Sequence, residues 1–112
     1  MPRSRRADNI LIAVNEKQVK SIQMTIRNLN IVNEKGLHAR ASAKFVEVVE
    51  AHDATATVRK DGLDASGDSI MGLLMLAAAK GSSIEVETSG AEADKLADAL
   101  DALVADKFGE DF

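Results

Sequence analysis

The residues best suited to chemistry lie together in the segment 36–45, which reads Gly-Leu-His-Ala-Arg-Ala-Ser-Ala-Lys-Phe. Its glycine ends an extended stretch, and a helix-forming run with an arginine in its first turn follows His38. We therefore expect His38 at or beside a helix N-terminus, where free backbone N–H groups and the helix dipole favour an anion. The His38 imidazole, the Arg40 guanidinium and these amides could together bind a phosphoryl group. The plainer interpretation is that His38 is an exposed loop residue before a helix.

The composition excludes several other classes of protein. A chain of 112 residues suits one domain with one core, and an aromatic content of only 3% requires that core to be aliphatic. The absence of cysteine excludes disulfides, thiolate catalysis and cysteine-ligated metal sites. A formal net charge of −4 argues against a nucleic-acid partner. With neither a long apolar run nor a signal peptide in the sequence, we expect a cytoplasmic protein with no membrane partner.

The first 23 residues differ in character from the rest. Three arginines near the start, at positions 3, 5 and 6, precede the short apolar run Ile10–Val14, which is too short to span a bilayer. We expect residues 1–23 to be an extension that is flexible at first, with a short strand or helix later. Residues 24–112 are then the predicted domain.

Hydrophobic periodicity predicts seven elements in the order strand, helix, strand, strand, helix, strand, helix. The strands are expected from Gln23 to about Ile31 and over 55–59, 63–66 and 83–88. The helices are expected over 39–51, 69–79 and from a capping box at Ser89–Glu92 to near Phe108.

The pattern makes specific predictions for the first strand, for the turn between the second and third strands, and for the second helix. The first strand alternates Met24, Ile26, Leu29 and Ile31 with polar residues, and the change of phase indicates one slip or bulge. Asp61-Gly62 is a hairpin turn signal. Lys80-Gly81 is expected to end the second helix, whose buried face would carry the four residues Ile70, Leu73, Leu74 and Ala77.

This order of elements is typical of a split βαβ arrangement, in which helices bury one face of an antiparallel sheet. Periodicity alone does not distinguish an open-faced sandwich from a ferredoxin-like fold.

Three segments carry a resemblance to a known family. NEKGLHARASAKF at 33–45, SIMGLLML at 69–76 and AKGSSIEVE at 79–87 resemble the HPr family, the histidine phosphocarriers of bacterial phosphotransferase systems. The resemblance covers residues 24–108 and is closest to the nitrogen-related (NPr) branch. It implies an α+β fold of order βαββαβα, an open-faced sandwich with four antiparallel strands and three helices on one face.

The resemblance also implies roles for residues around His38. It makes His38 the residue phosphorylated, on Nδ1, by a phosphoenolpyruvate-dependent Enzyme I, and an Enzyme IIA-type domain the acceptor. Arg40 matches the active-site arginine that would neutralise phosphoryl oxygens, and the backbone N–H groups of Ala39 and Arg40 would add to it. On this interpretation the protein is a covalent carrier, not an enzyme, needs no cofactor or metal, and is a monomer.

The start of the second helix carries two further implied roles. Ser69 matches a serine that a dedicated kinase phosphorylates in some family members, although a serine here can also be the helix N-cap. Ile70, Met71 and Leu74 match a surface that meets partner proteins, although each could be a core residue. Helical periodicity predicts that Met71 is exposed, whereas Ile70 and Leu74 fit the buried stripe.

The sequence departs from the family pattern at three positions. Ala41 replaces a common proline that would only preset the first helical turn. Glu47 and Gly72 replace lysines that sugar-transport carriers often have, which favours the nitrogen-related branch.

Two alternative functions are consistent with a small domain that carries a single histidine at a helix start. One is a non-covalent regulatory module controlled by phosphorylation of Ser69, which would tolerate glutamine at position 38. The other is a stand-alone hydrolase, which is disfavoured because no carboxylate pair shares the His38 turn. The second histidine, His52, is remote from the motif and is expected to be a solvated surface residue.

Overall fold

A computed structural model of the protein describes residues 23–112, and the expectations for the preceding segment lie outside the described residues. The strands are β1 (Gln23–Asn30), β2 (Thr55–Lys60), β3 (Leu63–Ser66) and β4 (Ser83–Gly90). The helices are α1 (Ala39–Glu50), α2 (Ile70–Met75) and α3 (Ala93–Ala105), and a 3₁₀ turn (Lys107–Gly109) follows α3. The predicted order of the seven main elements is confirmed.

The four strands form one antiparallel sheet with the spatial order β1-β4-β2-β3. Alternate residues of the strands point into a core that the three helices close from one side. Its largest fully buried side chains include Phe45, Leu73, Leu96 and Leu100 from the helices, with Val58, Ile84 and Val86 from the sheet. The fold is therefore the predicted open-faced sandwich. Within residues 23–112, no helix is both long enough and apolar enough to cross a membrane.

The first strand has no slip, contrary to the prediction. β1 pairs with β4 without interruption from Gln23↔Gly90 to Asn30↔Ser83. Met24 and Ile26 lie on the outer face and are 64% and 52% exposed. The inward positions are taken by Thr25, which hydrogen-bonds Asp94 of α3, and by Arg27, which is paired with two other aspartates of that helix. Polar contacts with α3 thus replace apolar burial at this end of the strand.

The second helix is shorter than predicted and ends at Met75 instead of Ala79. Ala77 has a positive φ of 52°, which no helix residue adopts. The chain after α2 bonds to the loop before α1: Leu37 N donates to Ala78 O at 2.9 Å, and Gly81 N donates to Ile31 O at 2.8 Å. These tertiary hydrogen bonds replace the helical ones that periodicity predicts.

The predicted face of α2 is also largely wrong. Leu73 is completely buried, but Ile70 is 39% exposed, Ala77 is exposed and Leu74 is half-buried. Within α2 the buried side chain is that of Leu73, and Leu76, just beyond the helix, is the next side chain to enter the core.

The limits of α3 differ from the prediction at both ends. Ser89 and Gly90 belong to β4, so there is no capping box; Glu92 takes the N-cap position, and its side chain accepts a hydrogen bond from Asp53 N at 2.7 Å instead. The helix ends at Ala105, and Phe108 lies in the 3₁₀ turn with a φ of +56°. The hairpin prediction is confirmed, because Asp61 and Gly62 both have positive φ, as a tight β2–β3 turn requires.

Candidate functional site

His38 is the N-cap residue of α1, as the sequence predicts. Its backbone is extended (φ −79°, ψ −175°), and its carbonyl accepts the first helical hydrogen bond, from Ser42 N at 2.8 Å. The buried Ser42 hydroxyl also donates to Leu37 O at 3.3 Å, which secures the turn into the helix. No side chain caps α1, so the N–H groups of Ala39 and Arg40 face away from the helix without a capping partner among residues 23–112. This end of the helix favours an anion.

The imidazole of His38 contacts a carboxylate from the other end of the chain. Nε2 of His38 hydrogen-bonds Oε2 of Glu110, and the two side chains are 27% and 17% exposed. The other carboxylate oxygen, Oε1, accepts a hydrogen bond from Nδ2 of the buried Asn33 at 3.0 Å. The site therefore contains a chain of three side chains, Asn33–Glu110–His38.

The pKa of Glu110 is lowered, chiefly because Asn33 donates a hydrogen bond to its carboxylate and further because His38 does so; partial burial opposes this effect. An ionised Glu110 can only accept hydrogen bonds, so the proton between it and His38 belongs to Nε2. A neutral imidazole with its proton on Nε2 has its lone pair on Nδ1. In a neutral His38 ring, this arrangement leaves Nδ1 as the nitrogen that carries the lone pair.

The segment that carries Glu110 is held on one side by α1 and on the other by the loop before α1. Phe108 is completely buried, and its carbonyl accepts a hydrogen bond from Nζ of Lys44 at 2.7 Å. Beyond Glu110, Phe112 O accepts a hydrogen bond from Glu34 N at 3.2 Å. The C-terminal residues are therefore part of the site.

Arg40 is exposed and lies in a cleft of about 370 Å³ between α1 and the C-terminal segment. The cleft is lined by three cations, by acidic groups and by the chain end: Glu34, Lys35, Arg40, Lys44 and residues 109–112. Glu110 lines this cleft and also contacts His38, so the structure brings the predicted pair His38 and Arg40 to the same corner. A guanidinium there can bind phosphoryl oxygens.

The second helix reaches His38 from the other side. A hollow of about 310 Å³ is lined by Leu74, His38, Lys35, Leu37 and residues 77–79. Met71, 70% exposed as predicted, does not line the hollow, nor does Ile70. Of the three residues suggested for a partner surface, only Leu74 lies directly beside the histidine.

Ser69 is the N-cap of α2, which confirms the structural role considered for it. Its Oγ accepts a hydrogen bond from Gly72 N at 3.0 Å. The residue is half-buried, and it lines neither the cleft that contains Arg40 nor the hollow beside His38. Its hydroxyl therefore has one defined task in the fold.

His52 is not a freely solvated residue, contrary to the expectation. It is only partly exposed, and its Nδ1 lies 2.7 Å from Val48 O. Because a carbonyl accepts only, Nδ1–H donates to the last turn of α1. His52 thus caps a helix end and is separate from the site.

Two residues of the site were missed by sequence reasoning, Asn33 and Glu110. They are 77 positions apart, and no local spacing links them. The available sequence signal is a glutamate two residues after a large apolar residue, Phe108. From the sequence alone, however, the Glu110 side chain cannot be distinguished from a solvent-exposed glutamate. Within residues 23–112, the structure brings together no cluster of three or more His, Asp or Glu side chains that could hold a metal ion.

The fold and the site together define a class of small open-faced sandwiches that present a histidine at a helix N-terminus. The family model described as the PTS HPr component phosphorylation site matches residues 25–106. The chain therefore belongs to the HPr family of phosphocarrier proteins.

Individual relatives agree with this assignment. The chain is 45% identical over 87 residues to phosphocarrier protein HPr of Neisseria meningitidis, covering 78% of this chain and 98% of the relative. It is 39% identical over 90 residues to phosphocarrier protein NPr of Escherichia coli, covering 79% and 100%. Among solved structures, HPr of Thermoanaerobacter tengcongensis superposes with a TM-score of 0.75 at 31% identity, covering 79% of this chain and 99% of that one. These relatives are carriers of phosphoryl groups, not enzymes that turn over a small molecule.

Proposed function

We propose that the protein accepts a phosphoryl group on Nδ1 of His38 from a phosphoenolpyruvate-dependent Enzyme I and passes it to an Enzyme IIA-type acceptor. The observation that carries this proposal is the hydrogen bond between Nε2 of His38 and Glu110, which leaves the ring lone pair on Nδ1. Membership of the HPr family supports the donor and acceptor classes. Since such a relay meets its two partners in turn, we take the carrier to act as a monomer in the cytoplasm, with no cofactor.

The transfer step follows from this geometry. The Nδ1 lone pair forms the new N–P bond while the bond from phosphorus to the donor breaks, and the donor keeps that electron pair. Because the Nε2 proton stays in place, positive charge develops on the ring. The Glu110 carboxylate stabilises that charge, as a buried aspartate stabilises an imidazolium in hydrolytic triads.

The phosphoryl group itself needs positive partners. The guanidinium of Arg40 and the N–H groups of Ala39 and Arg40 would neutralise its oxygens during transfer in either direction. Arg40 can approach a phosphoryl group that a docked partner delivers, because its side chain is exposed to solvent.

Intact-mass analysis after incubation with phosphoenolpyruvate, Mg²⁺ and an Enzyme I tests the proposal. We expect one acid-labile phosphoryl group on the wild type and on His52→Gln, the matched control at the other histidine, and none on His38→Gln. If the wild type gains no mass while the same Enzyme I phosphorylates a known carrier, the proposal is wrong.

The nitrogen-related branch is a finer proposal. Its support is the match to NPr over the full length of that relative, together with Glu47 and Gly72 at positions where sugar carriers often have lysines. Transfer from the phosphorylated protein should then be faster to a nitrogen-related IIA domain than to a sugar-specific one. The double variant Glu47→Lys/Gly72→Lys should shift this preference towards the sugar-specific domain; equal rates in the wild type would contradict the assignment.

Ile70, Met71 and Leu74 are proposed as the partner surface. Two of them are exposed apolar side chains on α2, and the third adjoins His38. Met71→Lys should raise the KM of Enzyme I for this carrier as its substrate. Leu63 is a similarly exposed apolar residue on β3, and Leu63→Lys should leave that KM unchanged.

The second candidate function is a non-covalent regulatory module controlled by phosphorylation of Ser69 by a serine kinase. Its support is the position of Ser69 at the start of the exposed part of α2, where a dianion would be compatible with the helix N-terminus. Ser69→Asp and Ser69→Asn both keep an N-cap acceptor, but only the first adds charge. If charge at this position controls docking, Ser69→Asp weakens binding to Enzyme I and Ser69→Asn does not; equal binding by both would exclude the module.

A further inference from the structure

Asn33 is a buried polar residue that lies behind the site. Its side chain is completely buried. The amide nitrogen Nδ2 donates two hydrogen bonds, to Gly36 O at 2.8 Å and to Oε1 of Glu110 at 3.0 Å. The amide oxygen Oδ1 has no hydrogen-bond partner within residues 23–112.

The two partners determine how the amide is oriented. A carbonyl oxygen and an ionised carboxylate only accept hydrogen bonds, so the –NH₂ group must face both of them. This orientation leaves Oδ1 buried and unpaired, which destabilises a fold compared with an apolar side chain of the same shape. What the residue supplies is therefore its pair of donors.

Those two donors connect the parts of the site that must be aligned. One of them holds Gly36 O, in the turn that Gly36 N closes by donating to Asn33 O at 3.2 Å, two residues before His38. The other holds Oε1 of Glu110, whose remaining oxygen bonds Nε2 of His38. A single amide group thus fixes the carboxylate relative to the backbone that carries the imidazole.

We propose that Asn33 is a positioning residue for phosphoryl transfer, because its amide orients Glu110 so that the His38 proton stays on Nε2 and the lone pair on Nδ1. This inference rests on the proposed function, in which Nδ1 of His38 is the phosphoryl acceptor. At metal centres, a carboxylate that accepts a hydrogen bond from a ligating imidazole sets the tautomer and the basicity of the ring, and further hydrogen bonds hold such carboxylates in place.

The first measurement is the tautomer of His38 in the unphosphorylated protein, read from the ¹⁵N chemical shifts of the imidazole. In the wild type the Nε2–H form should predominate. Asn33→Asp removes the donor and puts a like charge beside Glu110, and Asn33→Ala removes the donor alone. Both should raise the Nδ1–H fraction, while Asn30→Asp, the same change at an exposed residue of β1, should not. Far-UV circular dichroism checks that each variant is folded.

The second measurement is the rate of phosphorylation by Enzyme I and phosphoenolpyruvate. Asn33→Ala should slow it about tenfold, the effect of losing one hydrogen bond to a charged group. If Asn33 acts through Glu110, the same substitution causes no further loss in a Glu110→Ala background. A merely structural role would slow both backgrounds alike.

An unchanged tautomer in folded Asn33 variants would overturn the inference, and so would equal effects of Asn33→Ala in the two backgrounds. The failure of the proposed function has a different signature. In that case the wild type would take up no phosphoryl group, while the tautomer measurement, which needs no donor, would still decide whether Asn33 controls His38.

Discussion

Gly36 packs directly against the carbonyl oxygen of Ala78, so closely that a Cβ atom on Gly36 would lie 2.4 Å from that oxygen. The same carbonyl accepts a hydrogen bond from Leu37 N at 2.9 Å, and Gly36 has a φ of +67°. The loop before His38 and the segment after α2 therefore meet backbone to backbone. This contact places the histidine beside Leu74 and the hollow described above.

Gly36→Ala should destabilise the fold by about 2–4 kcal/mol, the sum of left-handed strain and of the overlap with Ala78. Gly62→Ala is the control, since Gly62 has a φ of +82° but a Cβ there would meet no atom within 4 Å. It should cost only about 1 kcal/mol, from strain alone. Urea unfolding followed by circular dichroism measures both. Equal losses in the two variants would show that the contact with Ala78 is unimportant.

Arg40→Ala should slow phosphorylation of His38 by about tenfold or more, because a bidentate partner of the phosphoryl oxygens is lost. Since the side chain is exposed, the free energy of unfolding should change by less than about 0.5 kcal/mol. Arg40→Lys should restore only part of the rate, as an ammonium lacks the planar fork. The rates are measured by stopping the phosphorylation reaction with Enzyme I at timed intervals. An unchanged rate in Arg40→Ala would show that Arg40 takes no part in the transfer.

The lowered pKa of Glu110, due first to Asn33 and then to His38, makes a prediction about pH and stability. A carboxyl whose pKa is lower in the folded state stabilises the fold above its unfolded pKa, and that contribution disappears as the pH falls through the folded value. The wild type should therefore be more stable than Glu110→Gln at neutral pH. The difference should shrink as the pH falls below the ordinary glutamate pKa of about 4.3 and then through the lower pKa of Glu110 in the folded state. Unfolding free energies across this range test it, and a difference independent of pH would contradict the assignment.

Phe108→Ala should destabilise the protein by about 3–5 kcal/mol, the usual loss when a buried phenyl ring is truncated. Phe112→Ala is the matched control at the chain end, where the ring is 74% exposed, and should change stability by less than about 0.5 kcal/mol. Thermal unfolding compares the two variants. If both substitutions were neutral, Phe108 would not anchor the segment that carries Glu110.

The sequence alone determined the order of the elements and the start of α1 at His38. Both depend on local physics: the spacing of apolar residues selects strand or helix, and a glycine followed by a helix-forming run marks a helix N-terminus. The β2–β3 turn was predictable for the same reason, since Asp-Gly accepts the positive φ that a tight hairpin needs. The exposure of Met71 likewise followed from helical spacing.

Only the tertiary structure decided where α2 ends, how β1 meets α3 and which groups surround His38. Ala77 has good helix propensity, yet the chain leaves the helix after Met75. The reason is a pair of tertiary hydrogen bonds with the loop before α1: Ala78 O accepts one from Leu37 N, and Gly81 N donates the other to Ile31 O. The uninterrupted register of β1 places Arg27 on the inner face, where two aspartates of α3 pair with it. Asn33 and Glu110 meet across 77 residues only when the buried Phe108 brings the chain end back to α1. Local periodicity contains no information about such contacts, because their partners are neighbours only in the folded chain.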